Sequence, residues 1–193
     1  CEGESGVSIG LSDSEIGVNY ELLRDGNSVT NLAGTGNSLD FGLQTQAGTY
    51  TITAENSATL CTSNMLGNAV ITIEPVPTQF NVTGGGAFCE GESGVSIGLS
   101  DSEIGVNYEL FRDGNSVTNL AGTGNSLDFG LQTQAGMYTV TAENTTTLCT
   151  SNMLGSAVIT IEPVPTQFNV TGGGAFCEGE SGVSIGLSDS EIG

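Results

Sequence analysis

The ten residues Ala47–Asn56, AGTYTITAEN, carry the clearest secondary-structure signal in the chain. From Tyr50 to Ala54, apolar side chains alternate with threonines, and this period of two is typical of a strand that buries one face. The stretch recurs with two changes as AGMYTVTAEN at Ala135–Asn144, 88 residues further on. The strand therefore belongs to a repeated unit.

The same repeat runs through the whole chain of 193 residues. A shift of 88 residues superimposes Cys1–Phe88 on Cys89–Phe176 with six differences, and a third copy starts at Cys177. The differing pairs are Leu23/Phe111, Thr49/Met137, Ile52/Val140, Ser57/Thr145, Ala58/Thr146 and Asn68/Ser156. Such near-identity indicates one structural unit copied in tandem, and we expect the chain to be a window onto a longer array.

Charge in the chain is scarce and almost entirely negative. Asp and Glu total 22 against two Arg, with no Lys and no His, so the formal net charge is −20. Nucleic acid is not an expected partner, because phosphate binding depends on Lys and Arg. Direct membrane contact is not expected in this segment either, since anionic lipid attracts basic rather than acidic surfaces and no run near 18 apolar residues occurs. We interpret the acidity as a soluble, self-repelling surface.

The missing His and Lys also argue against catalysis. Their absence removes the commonest general base, Schiff-base chemistry and the Ser–His and Cys–His nucleophile pairs. Paired carboxylates could still hydrolyse glycosides. Any such site would be duplicated in every repeat, which suits binding or spacer modules better than enzymes. We therefore expect no enzymatic activity, no catalytic residue and no cofactor.

Each repeat shows short strand-like runs separated by turn residues, the pattern of an all-β sandwich. In the second copy, strands are predicted near Gln79–Thr83, Val95–Leu99, Val106–Arg112, Ser126–Phe129, Met137–Glu143 and Ala157–Glu162. The stretches between them contain Asp-Gly, Gly-Thr-Gly and single glycines such as Gly130, all of which favour chain reversal. No apolar period of 3.6 survives, so no helix is predicted.

Two stretches resemble the immunoglobulin fold. AGTYTITAEN resembles the F-strand pattern G-x-Y-x-C-x-A-x-N, with Ile52 in place of the core Cys. Val18–Gly26 resembles strand C and the turn after it, with Tyr20 in place of the usual core Trp. The resemblance implies that Tyr50 and Tyr138 make the tyrosine-corner hydrogen bond that ties the turn before strand F to the strand itself.

This resemblance implies tandem immunoglobulin-like β-sandwich repeats of 88 residues. We predict an Ig-like repeat lacking its first strand at residues 1–76, a complete Ig-like repeat at residues 77–164, and the first strands of a third repeat at residues 165–193. Pro75 and Pro77, in the segment that joins the units, favour an extended and semi-rigid linker.

The copy Cys1–Phe88 carries, in order, C-x-G, G-V-x-Y-x-L, A-G-T-Y-T, E-N-x-x-T-x-C and V-T-G-G-G. This pattern is similar to a repeat of giant cell-surface proteins of the Bacteroidota, which are typically exported by the type IX secretion route and include adhesins of gliding cells. The resemblance implies an extracellular, cell-surface location and a structural role in a long tandem-repeat stalk or surface filament that extends or forms an adhesin.

The expected partners are neighbouring repeats of the same chain, with a surface or glycan ligand bound by a tip elsewhere. Two other functions remain open. Each repeat could bind a glycan or calcium and act through avidity, or the chain could be a polymerising, pilin-like subunit.

The five cysteines, Cys1, Cys61, Cys89, Cys149 and Cys177, contain no C-x-x-C, so we predict structural disulfides formed in an oxidising setting. One pairing joins nearest partners, Cys1–Cys61 and Cys89–Cys149. The immunoglobulin resemblance implies an objection, because it places Cys89 at the A′–B turn and Cys149 after strand F, at opposite ends of a sandwich. If domains stack head to tail, the resemblance instead allows Cys1 to reach Cys149 across a junction. Both pairings remain open.

Four carboxylates, those of Glu90, Glu92, Asp101 and Glu103, fall within fourteen residues near a predicted domain end. Carboxylate oxygens suit calcium, but the stretch contains no D-x-D-x-D loop. A solvated acidic edge is therefore the preferred interpretation, with calcium as the alternative, and no firm metal site is predicted.

Overall fold

The computed structural model describes residues 1–191, and within that range it consists of strands, turns and loops without a helix. The first repeat contains β1 (Val7–Leu11), β2 (Val18–Arg24), β3 (Asn27–Ala33), β4 (Leu39–Gln44), β5 (Gly48–Asn56), β6 (Thr62–Asn64) and β7 (Ala69–Ile71). The second contains β8 (Val82–Gly84), β9 (Gly86–Cys89), β10 (Val95–Leu99), β11 (Val106–Arg112), β12 (Asn115–Ala121), β13 (Leu127–Gln132), β14 (Gly136–Asn144), β15 (Thr150–Asn152) and β16 (Ala157–Glu162). The third contains β17 (Val170–Gly172) and β18 (Ile185–Leu187). No helix able to cross a membrane occurs among these described residues.

The strands of the first repeat form two antiparallel sheets. One sheet pairs β1 with β4, and the other has the order β3-β2-β5-β6, with β7 also paired to β5. The chain changes sheet between β1 and β2, between β3 and β4, and again between β4 and β5. This crossing pattern is that of an immunoglobulin-like sandwich, so the predicted all-β sandwich class is confirmed.

The second repeat has the same two sheets with an added strand on each. β8 extends the first sheet to the order β13-β10-β8, and β9 lies parallel to β16 at the edge of the order β12-β11-β14-β16-β9. The chain passes from β8 to β9 through Gly84 and Gly85, both at positive φ. A Cβ on Gly85 would lie 2.8 Å from the Val158 carbonyl oxygen, so this crossing requires glycine. In the third copy, β17 and β18 pair antiparallel.

By its contacts the chain divides into two compact units: Cys1–Thr78 together with Ala142–Ser151, and Gln79–Thr141 together with the residues from Asn152 onward.

The core of the first repeat is built from alternate side chains of both sheets. Its buried members are Ile9, Val18, Tyr20, Leu22, Leu39, Phe41, Tyr50, Ile52, Ala54 and Ile71. The equivalent positions of the second repeat are also buried: Ile97, Val106, Tyr108, Leu110, Leu127, Phe129, Tyr138, Val140, Ala142 and Ile159. The period of two read from AGTYTITAEN therefore corresponds to the buried face of β5.

Gly130 does not reverse the chain as its sequence setting suggests. It lies inside β13, which continues to Gln132, and it has φ +80 where the pairing with β10 shifts register. One carboxylate oxygen of Asp128 accepts both the Gly130 N–H, at 2.8 Å, and the Ser96 hydroxyl. The irregularity is thus a bulge fastened by Asp128.

The first repeat has the same bulge, with Asp40 in the place of Asp128. The Asp40 carboxylate accepts the Ser8 hydroxyl at 2.6 Å and the Gly42 N–H at 2.8 Å. The serine hydroxyl, followed by the glycine N–H, lowers the pKa of Asp40, and the equivalent groups lower the pKa of Asp128. In both repeats the hydrogen bonds of the bulge therefore favour the ionised form of the aspartate.

These two aspartates should make the stability of the protein sensitive to acid. A carboxyl whose pKa is lowered by folding stabilises the fold above its unfolded pKa, near 4, and this stability is lost as the pH falls through the folded pKa. We expect the melting temperature of the wild type to fall more between about pH 5 and pH 2 than that of Asp40→Asn/Asp128→Asn, which keeps an oxygen acceptor but does not titrate. The matched control is Glu55→Gln/Glu143→Gln, on exposed strand positions. Equal slopes for the wild type and the aspartate variant would contradict the prediction.

Candidate functional site

The structure joins Cys1 to Cys149 by a disulfide, with a Cα–Cα distance of 5.5 Å and a sequence separation of 148. Cys1 belongs to the first copy of the repeat and Cys149 to the second, so the bond links successive repeats. Both cysteines lie in the same compact unit. Of the two pairings that the sequence left open for Cys1, this is the one that the structure contains.

The nearest-partner pairing of Cys1 with Cys61 is wrong, because the two residues lie at opposite ends of β5. The Glu2 N–H, next to Cys1, donates to the Glu74 carbonyl (2.9 Å). Glu74 comes three residues after β7, and β7 pairs with the start of β5, so Cys1 lies near that end of the strand. The Cys61 carbonyl accepts the Asn56 N–H (3.0 Å) at the end of β5. The nine residues of this strand span about 27 Å, whereas a disulfide needs Cα atoms within about 7 Å.

The companion pairing, Cys89–Cys149, is wrong as well. Cys149 is bonded to Cys1, and Cys89 carries a free, exposed thiol, as do Cys61 and Cys177. Beside Cys89, the Glu90 N–H donates to the Glu162 carbonyl (2.9 Å), as the Glu2 N–H donates to the Glu74 carbonyl beside Cys1.

The turn that holds Cys149 is fixed by the side chain of Asn144, the last residue of β14. Its Oδ1 accepts the backbone N–H groups two and three residues further on, at 2.9 and 3.1 Å. The Asn144 N–H in turn donates to the Cys149 carbonyl (2.9 Å), and Leu148 takes a positive φ of 59° to close the turn. Asn side chains favour such local turns. Cys149 is only 1% exposed, and its Sγ lies 3.9 Å from the Glu74 carbonyl oxygen.

Tyr50 and Tyr138 each donate a hydrogen bond to the backbone four residues upstream. The Tyr50 hydroxyl donates to the Gln46 carbonyl and the Tyr138 hydroxyl to the Gln134 carbonyl, both at 2.8 Å. Both side chains are at most 2% exposed. Each bond ties the turn before the strand to the core, which is the geometry of a tyrosine corner.

A second pair of core tyrosines has a role that the sequence did not indicate. The hydroxyls of Tyr20 and Tyr108 accept the N–H groups of Glu15 and Glu103, both at 2.9 Å. Burial raises the pKa of Tyr108. The sequence offered only a general indication of these two hydrogen bonds, because any tyrosine in a core needs a partner for its hydroxyl.

The structure does not gather the four acidic candidates into a site. The Glu92 carboxylate accepts the Cys89 N–H (3.0 Å), and the Asp101 carboxylate accepts the Ser102 N–H (2.8 Å). Glu90 donates its N–H to the Glu162 carbonyl, and Glu103 donates to a tyrosine as described. Within residues 1–191 no group of three or more Asp, Glu or Cys side chains is arranged to hold a metal ion. Calcium binding stays an untested prediction.

No protein-family model and no curated protein matches the chain. Among solved structures it is similar to fibronectin(III)-like modules of Clostridium thermocellum CbhA, with 11% identity, a TM-score of 0.39 and coverage of 82% of this chain and 87% of that one. It is similar to murine CEACAM1b, with 16% identity, a TM-score of 0.37 and coverage of 82% and 94%. It is also similar to a structure of a mouse coronavirus receptor-binding domain complexed with its murine receptor. The identity is 15%, the TM-score is 0.39, and the match covers 76% of this chain and 86% of that one. The fold assignment rests on the strand order and registers given above.

The tyrosine corner should contribute measurably to stability. Tyr138→Phe keeps the buried ring and removes only the hydrogen bond to the Gln134 carbonyl, so we expect the free energy of unfolding to fall by about 1 kcal/mol. Urea unfolding followed by circular dichroism measures the change. Tyr50→Phe tests the equivalent bond of the first repeat. An unchanged urea midpoint in both variants would show that the corner does not stabilise the fold.

The Cys1–Cys149 bond should stabilise the fold more than any hydrogen bond does. By restricting the unfolded chain over 148 residues, it should contribute about 2–5 kcal/mol to the free energy of unfolding, and Cys1→Ser and Cys149→Ser should lose that amount. Cys61→Ser is the matched control, because Cys61 occupies the same position of the repeat without a bond, and it should be within about 0.5 kcal/mol of the wild type. Urea unfolding without reductant makes the comparison. Dithiothreitol should abolish the difference between the wild type and Cys1→Ser, and a Cys1→Ser protein as stable as Cys61→Ser would refute the prediction.

Proposed function

We propose that the chain is a structural segment of a long extracellular stalk or surface filament that extends or forms a bacterial adhesin. The observation that carries the proposal is the Cys1–Cys149 disulfide, because it connects a turn of one repeat covalently to a turn of the next. A module that binds its ligand singly gains nothing from such a bond. A stalk gains resistance to bending and extension at each connection between repeats.

The same bond supports an extracellular compartment. Structural disulfides persist outside the cell and at cell surfaces and are rare in reducing cytosol. The similarity of the repeat pattern to that of giant Bacteroidota surface proteins supports a cell-surface location and export by the type IX route. We therefore propose that the chain works at the surface of a bacterium.

Composition suits a stalk made of many like domains. Tandem copies of one sandwich expose the same edge strands again and again, and exposed edges favour aggregation. Here β12 is an edge strand with mostly exposed polar positions, and the chain carries a net charge of −20. Self-repulsion of this size keeps like domains apart. The role needs no reaction, in keeping with a sequence without His or Lys.

Small-angle X-ray scattering on chains of two, four and six repeats tests the proposal. If disulfides between repeats stiffen the array, the maximum dimension of the oxidised protein should grow in proportion to the number of repeats. In a matched series with every cysteine replaced by serine, the dimension should grow more slowly, towards the square-root dependence of flexibly linked units. A maximum dimension that does not grow with repeat number would exclude a stalk, and binding of a glycan by a single isolated repeat would favour the avidity function instead.

A further inference from the structure

The first and second repeats carry one arginine each, and these are the only side-chain cations of the chain: Arg24 and Arg112. Within residues 1–191 neither guanidinium forms an ion pair or a hydrogen bond with another residue, although the chain contains 22 Asp and Glu side chains. A guanidinium has five N–H donors and binds carboxylates in a bidentate geometry. Each of these repeats therefore has one strong anion-binding group without a partner.

The carboxylate that follows Arg24 in the sequence serves the turn instead. Asp25 accepts the Thr49 N–H on its Oδ1 at 2.9 Å, and its own N–H donates to the Thr49 carbonyl, also at 2.9 Å. Asp113 accepts the Met137 N–H in the same way, at 3.0 Å. The nearest aspartate in the sequence thus fastens the turn after β2 to the start of β5 and leaves the guanidinium without a counterion.

A glycine fixes the position of each arginine. A Cβ on Gly48 would lie 2.8 Å from Cγ and 3.1 Å from Cδ of Arg24, and Gly48 has φ +151°. At Gly136 the same distances to Arg112 are 2.9 and 3.1 Å. The stem of each arginine therefore occupies space that the side chain of any other residue would fill. Both arginines are half-buried, which is typical of a side chain whose stem is covered and whose charged head is solvated.

Arg24 lines an open cavity of about 250 Å³ whose lining residues all belong to the first repeat. Two aliphatic side chains share the lining, Val29 at 42% exposed and Leu43 at 58% exposed. Hydroxyl and amide side chains contribute as well, including Ser28, Thr45 and Gln46. The cavity thus combines one unpaired positive charge with an apolar surface and hydrogen-bonding groups.

The arrangement recurs in the second repeat. β3 contains a bulge at Val29, because the residues on either side of it are paired with consecutive residues of β2, and bulges re-aim side chains. β12 contains the same bulge at Val117. Val117 is 42% exposed and Leu131, in the position of Leu43, is 57% exposed. The apolar surface is therefore a property of the repeat, as the unpaired arginine is.

We propose that this cavity binds an acidic peptide, and that the equivalent residues of the second repeat form a second site of the same kind. A carboxylate side chain of the peptide contacts the Arg24 guanidinium, and a neighbouring aliphatic side chain covers Val29 and Leu43. A peptide fits the lining better than an acidic sugar does, because its one aromatic residue, Tyr50, is only 2% exposed and offers no ring for a sugar to stack on.

The net charge of −20 does not prevent this contact. At physiological salt, exposed charges more than about 8 Å apart are largely screened, so the guanidinium dominates the interaction at the site itself. The proposed site goes beyond the role of a stalk and does not depend on it.

Nitrogen-15 NMR of the full oxidised chain tests the site directly. Because the chain contains two arginines, it gives two arginine Nε–H signals, which Arg24→Gln and Arg112→Gln assign. The probe is the blocked peptide acetyl-Gly-Glu-Ile-Gly-amide at about pH 6, where its glutamate is ionised. We expect both signals to shift and saturate with a dissociation constant of about 1 mM, the affinity of one charge-assisted pair and one partly covered aliphatic side chain.

Two altered probes separate the two contacts. Replacing the glutamate of the peptide by glutamine removes its charge, and binding should weaken by about tenfold or more. Replacing the isoleucine by glycine removes the apolar contact, and binding should weaken about threefold, since the exposed cavity covers only part of that side chain.

Protein variants locate the apolar contact. Val29→Ser and Leu43→Ser should each weaken binding at the Arg24 signal by about twofold. The Arg112 signal should titrate unchanged, so the second site controls for folding and for peptide concentration. The matched control is Ile16→Ser, which removes an 81% exposed isoleucine just before β2, at the other end of that strand from Arg24. It should alter neither titration.

Four results would overturn the proposal. They are Nε–H signals that do not move at about 20 mM peptide, twenty times the expected dissociation constant; equal affinity for the glutamate and glutamine peptides; acetate that binds as tightly as the peptide, which would show an anion site only; and glucuronic acid that binds more tightly, which would show a sugar site. None of them affects the Cys1–Cys149 bond, so the proposed function is tested separately.

Discussion

The length of strand β5 is the constraint on which the connection between repeats depends. The strand has nine residues, and it pairs with β2 from Tyr50 to Asn56, with β7 at its start and with β6 towards its end. Tyr50, Ile52 and Ala54 anchor the strand in the core, so its two ends cannot approach each other. Because Cys1 lies near the start of this strand and Cys61 near its end, neither can serve as the other's partner. A disulfide that uses both positions has to join different repeats.

Sequence patterns predicted those strands that bury one face. β10, β11 and β16 have the bounds read from the alternation of apolar and polar residues, and β14 differs by one residue at each end. β12 was missed because it is an edge strand whose polar side chains are mostly exposed, so burial imposes no period on it. β9 was missed because it is short and directly follows Gly84 and Gly85, which indicate a turn, and because its pairing with β16 is a long-range contact.

In the candidate site, the sequence predicted a local contact but not the long-range ones. The tyrosine corner could be read from Tyr50 and its surroundings because it is local, with donor and acceptor four residues apart. The disulfide could not be read from spacing, since Cys61 is much nearer to Cys1 along the chain than Cys149 is. Cys61 is excluded as the partner of Cys1 because the two residues lie near opposite ends of β5. The position of Cys1 near the start of β5 depends on the pairing of β5 with β7. The bulges at Asp40 and Asp128 were also missed, because a glycine at positive φ has the same sequence signature in a bulge as in a turn.

Near-identity of the repeats means that side-chain chemistry alone cannot choose the partner of a given cysteine. Every first cysteine has the same neighbours as Cys1 in sequence, and every second cysteine has nearly those of Cys149. Selection must come from effective concentration, which is highest between repeats adjacent in the chain. Such a bond then forms between two cysteines that non-covalent folding has already brought close together. In tandem proteins, where each repeat interacts with its nearest neighbours only, a covalent bond between neighbours makes their unfolding interdependent and so extends cooperativity beyond one domain.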